Sequence, residues 1–126
     1  MALVDINGEP LFYTSCFQRI VTIAASSGVY TLPIEQSNFF AAGAAITGNT
    51  TISLSNLSLL PASCIWPGFF EFSYSSGAIT WPSNSGYTVK WENDTALVPV
   101  PGKTYRVSIE IRPGLILLTA DRGRTT

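Results

Sequence analysis

A two-residue alternation of apolar and polar side chains recurs along this chain and constrains its fold more than any other feature. The clearest run is TYRVSIEIR, residues 104–112. Successive side chains of a β-strand point to opposite faces, so the run predicts a strand with one face in a core. The core-facing set is Tyr105, Val107, Ile109 and Ile111, and the outward set is Arg106, Ser108, Glu110 and Arg112. Unlike charges two apart on that outward face can pair weakly.

Similar runs follow one another at intervals of roughly ten residues, separated by turn residues. FFEFSY (69–74) places Phe70, Phe72 and Tyr74 on one face, and NTTISLSNL (49–57) turns Ile52 and Leu54 inward. No window shows convincing helical periodicity, and FFAAGAAITG (39–48) is open between a short helical turn and a weak strand. The pattern predicts an all-β fold: an antiparallel β-sandwich or jelly roll of about eight strands with extended terminal arms.

The 126 residues are enough for one domain. We expect a β-sandwich domain over residues 16–120, an N-terminal arm over residues 1–15 and a polar tail over residues 121–126. The N-terminus carries two acids and no basic leader, which indicates a product made and used without export. No apolar run approaches the roughly 18 residues of a membrane span, so we expect no membrane partner.

The charge and residue content argues against several kinds of function. The formal net charge is −1 and no basic patch stands out, so we expect no nucleic-acid partner. There is no histidine, which removes the commonest general base and makes a Ser-His-Asp triad impossible. We therefore expect no enzyme, no catalytic residue, no cofactor and no metal site. Cys16 and Cys64 are expected to be buried free thiols, although a disulfide between them stays open.

Two tryptophans, Trp81 and Trp91, each end a short β-type run in AITWPSNSGYTVKWEND, residues 78–94. One interpretation is an aromatic hairpin, in which the two rings form a cross-strand pair that fixes the register and closes a small core. Exposed on one face, the same rings could instead form a protein interface or stack on sugar rings. We favour the structural interpretation and keep the other two open.

The segment ITWPSNSGYTVKWENDTALVPVPGKTYRVSIEIRPG resembles a pattern found in structural proteins of tailed bacteriophages. In those proteins, ITWP and VKW strands precede a turn, a Pro-containing loop and an alternating strand. ISLSNLS and GFFEF stand where such modules carry an upstream strand and a Pro-linked second strand. The resemblance covers roughly residues 50–118. It implies a virion β-sandwich module of the capsid decoration, head-fibre or tail-fibre type, commonly trimeric.

The short chain lacks a repetitive shaft, which favours a compact virion subunit over a fibre tip. The resemblance therefore implies a capsid decoration (cement) protein made in the host cytoplasm and placed on the capsid surface. Its partners would be the major capsid protein and two further copies of itself. The alternative is a tail-fibre or other receptor-binding component recognising host glycans, or a carbohydrate-binding module. Candidate capsid-docking residues are Leu3, Val4, Ile6, Leu11, Phe12, Tyr13, Arg122 and Arg124.

Overall fold

The structure, a computed structural model, describes residues 19–125. These residues form ten strands and one 3₁₀ turn, Leu57–Leu59, which confirms the all-β prediction. The segment 39–48, for which the sequence allowed either a helical turn or a weak strand, begins with a strand at Phe39–Ala42. The strands are β1 (Ile20–Ile23), β2 (Val29–Pro33), β3 (Phe39–Ala42), β4 (Thr50–Ser55), β5 (Trp66–Tyr74), β6 (Ile79–Thr80), β7 (Thr88–Trp91), β8 (Lys103–Arg112), β9 (Leu115–Ala120) and β10 (Arg124–Thr125).

The first six strands alternate between two sheets, and we call them the parallel coil. Strands β1, β3 and β5 lie side by side and parallel in a seven-stranded larger sheet, while β2, β4 and β6 do the same in a three-stranded smaller sheet. The corners between strands also stack. Ile46 donates its backbone N–H to Ser73 O at 2.9 Å, and Ser75 returns a bond to Ile46 O at 2.8 Å. Each turn of the chain is therefore hydrogen-bonded to the next.

The larger sheet continues from β5 into an antiparallel unit formed by β5, β8 and β9. Strand β8 pairs with β5 along Trp66 to Tyr74, and Pro113-Gly114 turns it directly into β9. Strand β7 then adds to β9 in parallel, and the short β10 pairs with the start of β8. The complete order is β1-β3-β5-β8-β9-β7.

The predicted antiparallel connectivity is wrong for most of the fold. Five of the eight strand pairs among residues 19–125 are parallel. The physical reason is that alternation fixes which face of a strand is buried, whatever the direction of its neighbour. Parallel neighbours are joined by long crossovers, which pass through the other sheet in the parallel coil and through β8 between β7 and β9, and such connections leave no local turn signal.

One hydrophobic cluster contains the inner residues of both sheets. Phe70 of β5 is fully buried, and its ring centroid lies 5.5 Å from that of Tyr30 in β2. The alternation therefore predicted the inner faces correctly. The predicted inward residues Ile52, Leu54, Phe72, Tyr105, Val107, Ile109 and Ile111 are all buried.

The prediction that the two tryptophans lie on paired strands of one hairpin is wrong. Strand β6, which precedes Trp81, pairs with β4 in the smaller sheet, whereas β7, which ends at Trp91, pairs with β9 in the larger one. The two indoles nevertheless meet, with ring centroids 5.3 Å apart in an edge-to-face arrangement. Trp81 also lies 6.0 Å from Phe72 in the core. The pair therefore connects the two sheets next to β6, the edge strand of the smaller sheet.

Residues 121–125 return along the start of β8. The Asp121 side chain accepts the backbone N–H groups of Arg106 (3.1 Å) and Gly123 (3.0 Å), and Arg124 pairs with Glu71 at 3.1 Å. The expectation of a buried thiol is wrong for Cys64, which is exposed in the connection between β4 and β5. That connection follows the 3₁₀ turn and lies outside the alternating strands, so its apolar neighbours do not place it in the core.

Candidate functional site

The exposed side of the larger sheet groups charged, hydroxyl-bearing and aromatic side chains on adjacent strands. We call it the outer face. Among residues 19–125 it spans six adjacent strands, with β1 and β7 at its two ends. Its members are Ile20, Phe39, Phe69, Glu71, Lys90, Glu92, Arg106, Ser108, Glu110, Arg112, Leu117 and Thr119. Glu92 directly follows β7, and each of the others alternates along its strand with an inward residue.

An apolar ridge crosses one half of the outer face. Ile20, Phe39 and Phe69 are opposite one another in register on β1, β3 and β5. The two phenylalanine rings stack with centroids 4.6 Å apart and planes 28° from parallel. We call this row the ridge.

The charges of the outer face are balanced within it. Glu71 pairs with Arg106 and with Arg124, both at 3.1 Å, and Arg106 also lies 4.3 Å above the Phe69 ring. Arg112 pairs with Glu110 at 2.6 Å, the pairing of unlike charges two apart that the sequence predicted. The three arginines have anionic partners and Lys90 is a further exposed cation of the face, so the face offers no continuous basic track for a polyanion.

Two hollows lie beside the ridge and share Ser108 and Glu110. The first, of about 360 Å³, lies among Asn38, Pro67, Ser108, Glu110 and the two ridge phenylalanines. The second, also of about 360 Å³, extends across Leu117 and Thr119 to Glu92, whose carboxylate accepts the Thr119 hydroxyl at 2.6 Å. Together they form a shallow groove of mixed polarity, which suits a binding surface.

The predicted aromatic site occupies a different place. Trp81 and Trp91 are each half-buried, pack against the core, and contact each other edge to face. Their contact fits the structural interpretation of the two rings. A flat sugar platform would need ring faces turned together toward solvent, and an edge-to-face pair cannot present two parallel faces.

The predicted docking residues of the N-terminal arm, Leu3 to Tyr13, lie outside the described residues. Arg124 lies beside the outer face on β10, where it reaches Glu71, and Arg122 is exposed in the turn before it. Among residues 19–125, no group of three or more His, Cys, Asp or Glu side chains is placed to hold a metal ion.

The sequence contains one signal for the ridge, a repeated pair of adjacent phenylalanines. The doublet Phe-Phe occurs at residues 39–40 and again at 69–70. In each doublet the second phenylalanine is fully buried, so its neighbour must lie on the opposite face. Two outward phenylalanines in adjacent strands produce an exposed aromatic row. The signal becomes visible only when β3 and β5 are known to be neighbours.

No protein-family model, no curated protein and no solved structure matches this chain. Within residues 19–125 there is no helix long and apolar enough to cross a membrane.

Proposed function

We propose that this chain is a non-catalytic structural virion protein of a tailed bacteriophage, a capsid decoration protein that binds the major capsid protein as a homotrimer. The observation that carries the proposal is the strand-and-turn pattern of residues 50–118, which resembles modules of phage head and tail proteins. The pattern covers strands β4 to β9, which belong to both sheets and contribute residues to their shared core. We take the pair of sheets to be this chain's version of the β-sandwich that the resemblance implies.

The contacts of the two tryptophans support an assembly role over glycan recognition. The ITWP and VKW motifs place Trp81 and Trp91 against the core and against each other, so the motif residues serve the fold. Within residues 19–125, what is left for recognition is surface: the outer face, with the exposed Arg122 and Arg124 near it. A protein partner is the better match to such a surface, because the outer face is broad and shallow.

The test is the copy number of this chain in purified virions, measured by quantitative mass spectrometry against the major capsid protein. A decoration protein is expected in a number comparable to that of the capsid lattice positions it covers. A handful of copies would place the chain in the tail and make glycan binding the leading function. Absence from purified virions would overturn both assignments.

A further inference from the structure

Strand β1 lies at one end of the larger sheet, and among residues 19–125 it pairs with β3 alone. Ile23 accepts the backbone N–H of Gly43, which follows β3, at 2.8 Å, so the Ile23 carbonyl points toward β3. Successive residues of a strand direct their backbone groups to opposite sides, so those of Ile20 and Thr22 point away from β3. The edge of β1 therefore presents donors and acceptors that a further strand can bond.

The edge strands β2, β6 and β7 are protected in ways that β1 is not. Strand β2 ends at Pro33, which has no N–H, and the backbone groups of its first residue, Val29, bond those of Ser26 at 2.9 and 3.0 Å. Strand β7 carries Lys90, and β6 is only two residues long. Proline, charge and short length are devices that prevent unwanted pairing at an edge. The sequence of β1, Ile-Val-Thr-Ile, contains neither proline nor charge.

The hydrophobic core is also incompletely covered at β1. Val21 is in register with Phe40 on β3, and Phe40 is in register with Phe70 on β5, so the three inward side chains form one row. Phe40 and Phe70 are fully buried, whereas Val21 is only half-buried. A strand added at this edge bonds the backbone groups of β1 and covers the apolar surface of Val21 in one step.

We propose that the free edge of β1 is completed by residues 11–15 of the same chain, added to the larger sheet as a further strand. The segment reads Leu-Phe-Tyr-Thr-Ser, in which three residue types favour strands, and no charge lies between Glu9 and Arg19. Only residues 16–19 separate the segment from β1, and so short a connection joins antiparallel strands. Because the segment is tethered beside the edge, its effective concentration there is high.

This inference goes beyond the proposed function and does not rest on it. It assigns Leu11, Phe12 and Tyr13 to the chain's own sheet, whereas the sequence analysis counts them among the candidate capsid-docking residues. The earlier residues of the arm then remain for docking. A second copy or a separate protein is the weaker match to this edge, because neither is held beside β1 by a short connection.

The test is backbone amide hydrogen exchange of the full-length chain, measured residue by residue by NMR. Thr22 is exposed, so its N–H exchanges quickly unless a strand accepts it, and we expect protection of about a hundredfold or more in the unaltered chain. Phe12→Pro and Tyr13→Pro each remove one N–H from the segment. Adjacent N–H groups of a strand point to opposite sides, so one of the two substitutions removes a bond to β1, and we expect it to lower the Thr22 protection about tenfold or more.

Leu3→Pro is the matched control, because it places a proline in the arm outside the proposed strand and should leave Thr22 unchanged. The Val107 amide, on β8 between β5 and β9, must stay protected in every variant, which shows that the domain is folded. Nuclear Overhauser contacts between the backbones of residues 11–15 and β1 are expected in the unaltered chain, and they test the pairing without any substitution.

Fast exchange at Thr22 in the unaltered chain would overturn the proposal, as would the absence of contacts between residues 11–15 and β1. Thr22 protection that survives both proline substitutions, or that Leu3→Pro lowers equally, would also overturn it. Light scattering identifies the source of the strand, since we expect full protection in the monomer. Protection that disappears when the chain is diluted to monomers would assign the edge to a second copy instead.

Discussion

The parallel coil and the antiparallel unit are built from equally regular strands, yet they hold together in different ways. In the antiparallel unit, β8 passes through Pro113-Gly114 into β9 and the two strands pair at once. In the parallel coil, Phe39 pairs with Phe69 only after the chain has crossed to the smaller sheet and back. The antiparallel unit therefore depends on local turns, and the coil depends on long-range packing of one sheet on the other.

Substitution of Phe70 is expected to weaken the packing between these two regions more than any other change considered below. It is fully buried in β5, which belongs to both regions, and its ring contacts Tyr30 in the smaller sheet. Phe70→Ala removes that contact and leaves a cavity, so we expect the free energy of unfolding to fall by about 3–5 kcal/mol. Equilibrium denaturation in urea measures this loss.

Phe69→Ala is the matched control, because it removes the same ring from the outer face one residue away. We expect a smaller loss of about 1 kcal/mol, since Phe69 is only half-buried and contributes mainly its stacking on Phe39. Equal losses at the two positions would show that the contact between the sheets does not stabilise the fold in the way described.

The stacked corners of the coil can be tested with two glycines that share a left-handed backbone. Gly77 has φ +99° and its added methyl group would overlap the Gly48 carbonyl, whereas Gly86 has φ +84° and open space around it. Gly86→Ala is expected to cost about 1–2 kcal/mol for the backbone conformation alone. Gly77→Ala should cost about 1–3 kcal/mol more, because the two corners must also move apart. Thermal or urea unfolding of both variants measures the difference.

Equal effects at Gly77 and Gly86 would mean that the corners of successive turns are not in close contact. A larger effect at Gly86 would contradict the arrangement more strongly, because nothing approaches that position within 4 Å.

The sequence predicted the faces of the strands well and their partners poorly, and the two regions show why. Burial of alternate residues in TYRVSIEIR follows from the geometry of a single strand, so Val107 and Ile109 were placed correctly. The β8–β9 pair has a local turn signal in Pro113-Gly114, which a short segment of sequence can carry. Pairing of β1, β3 and β5 requires knowledge of the whole winding of the chain, and no short segment encodes it. The outer face was missed for the same reason, since the ridge exists only when Phe39 and Phe69 become neighbours.

The contact between Trp81 and Trp91 is a small, local link between the two sheets, and its coupling energy can be measured. Trp81 follows β6 of the smaller sheet and Trp91 ends β7 of the larger one, with ring centroids 5.3 Å apart. A double-mutant cycle of Trp81→Ala and Trp91→Ala is expected to give a coupling energy of about 0.5–1.5 kcal/mol, the usual contribution of an edge-to-face aromatic pair. Urea denaturation of the two single variants and the double variant provides the three differences needed.

A second cycle between Trp66 and Trp91 is the control. Trp66 donates its indole N–H to Ile34 O at 2.9 Å, and its strand is three strand spacings from β7, or roughly 14 Å. Substitutions that far apart usually add, so this coupling should be close to zero. If both cycles gave zero coupling, the two indoles would not be in contact in solution. The sugar interpretation would then regain weight, because separated rings are free to turn their faces outward.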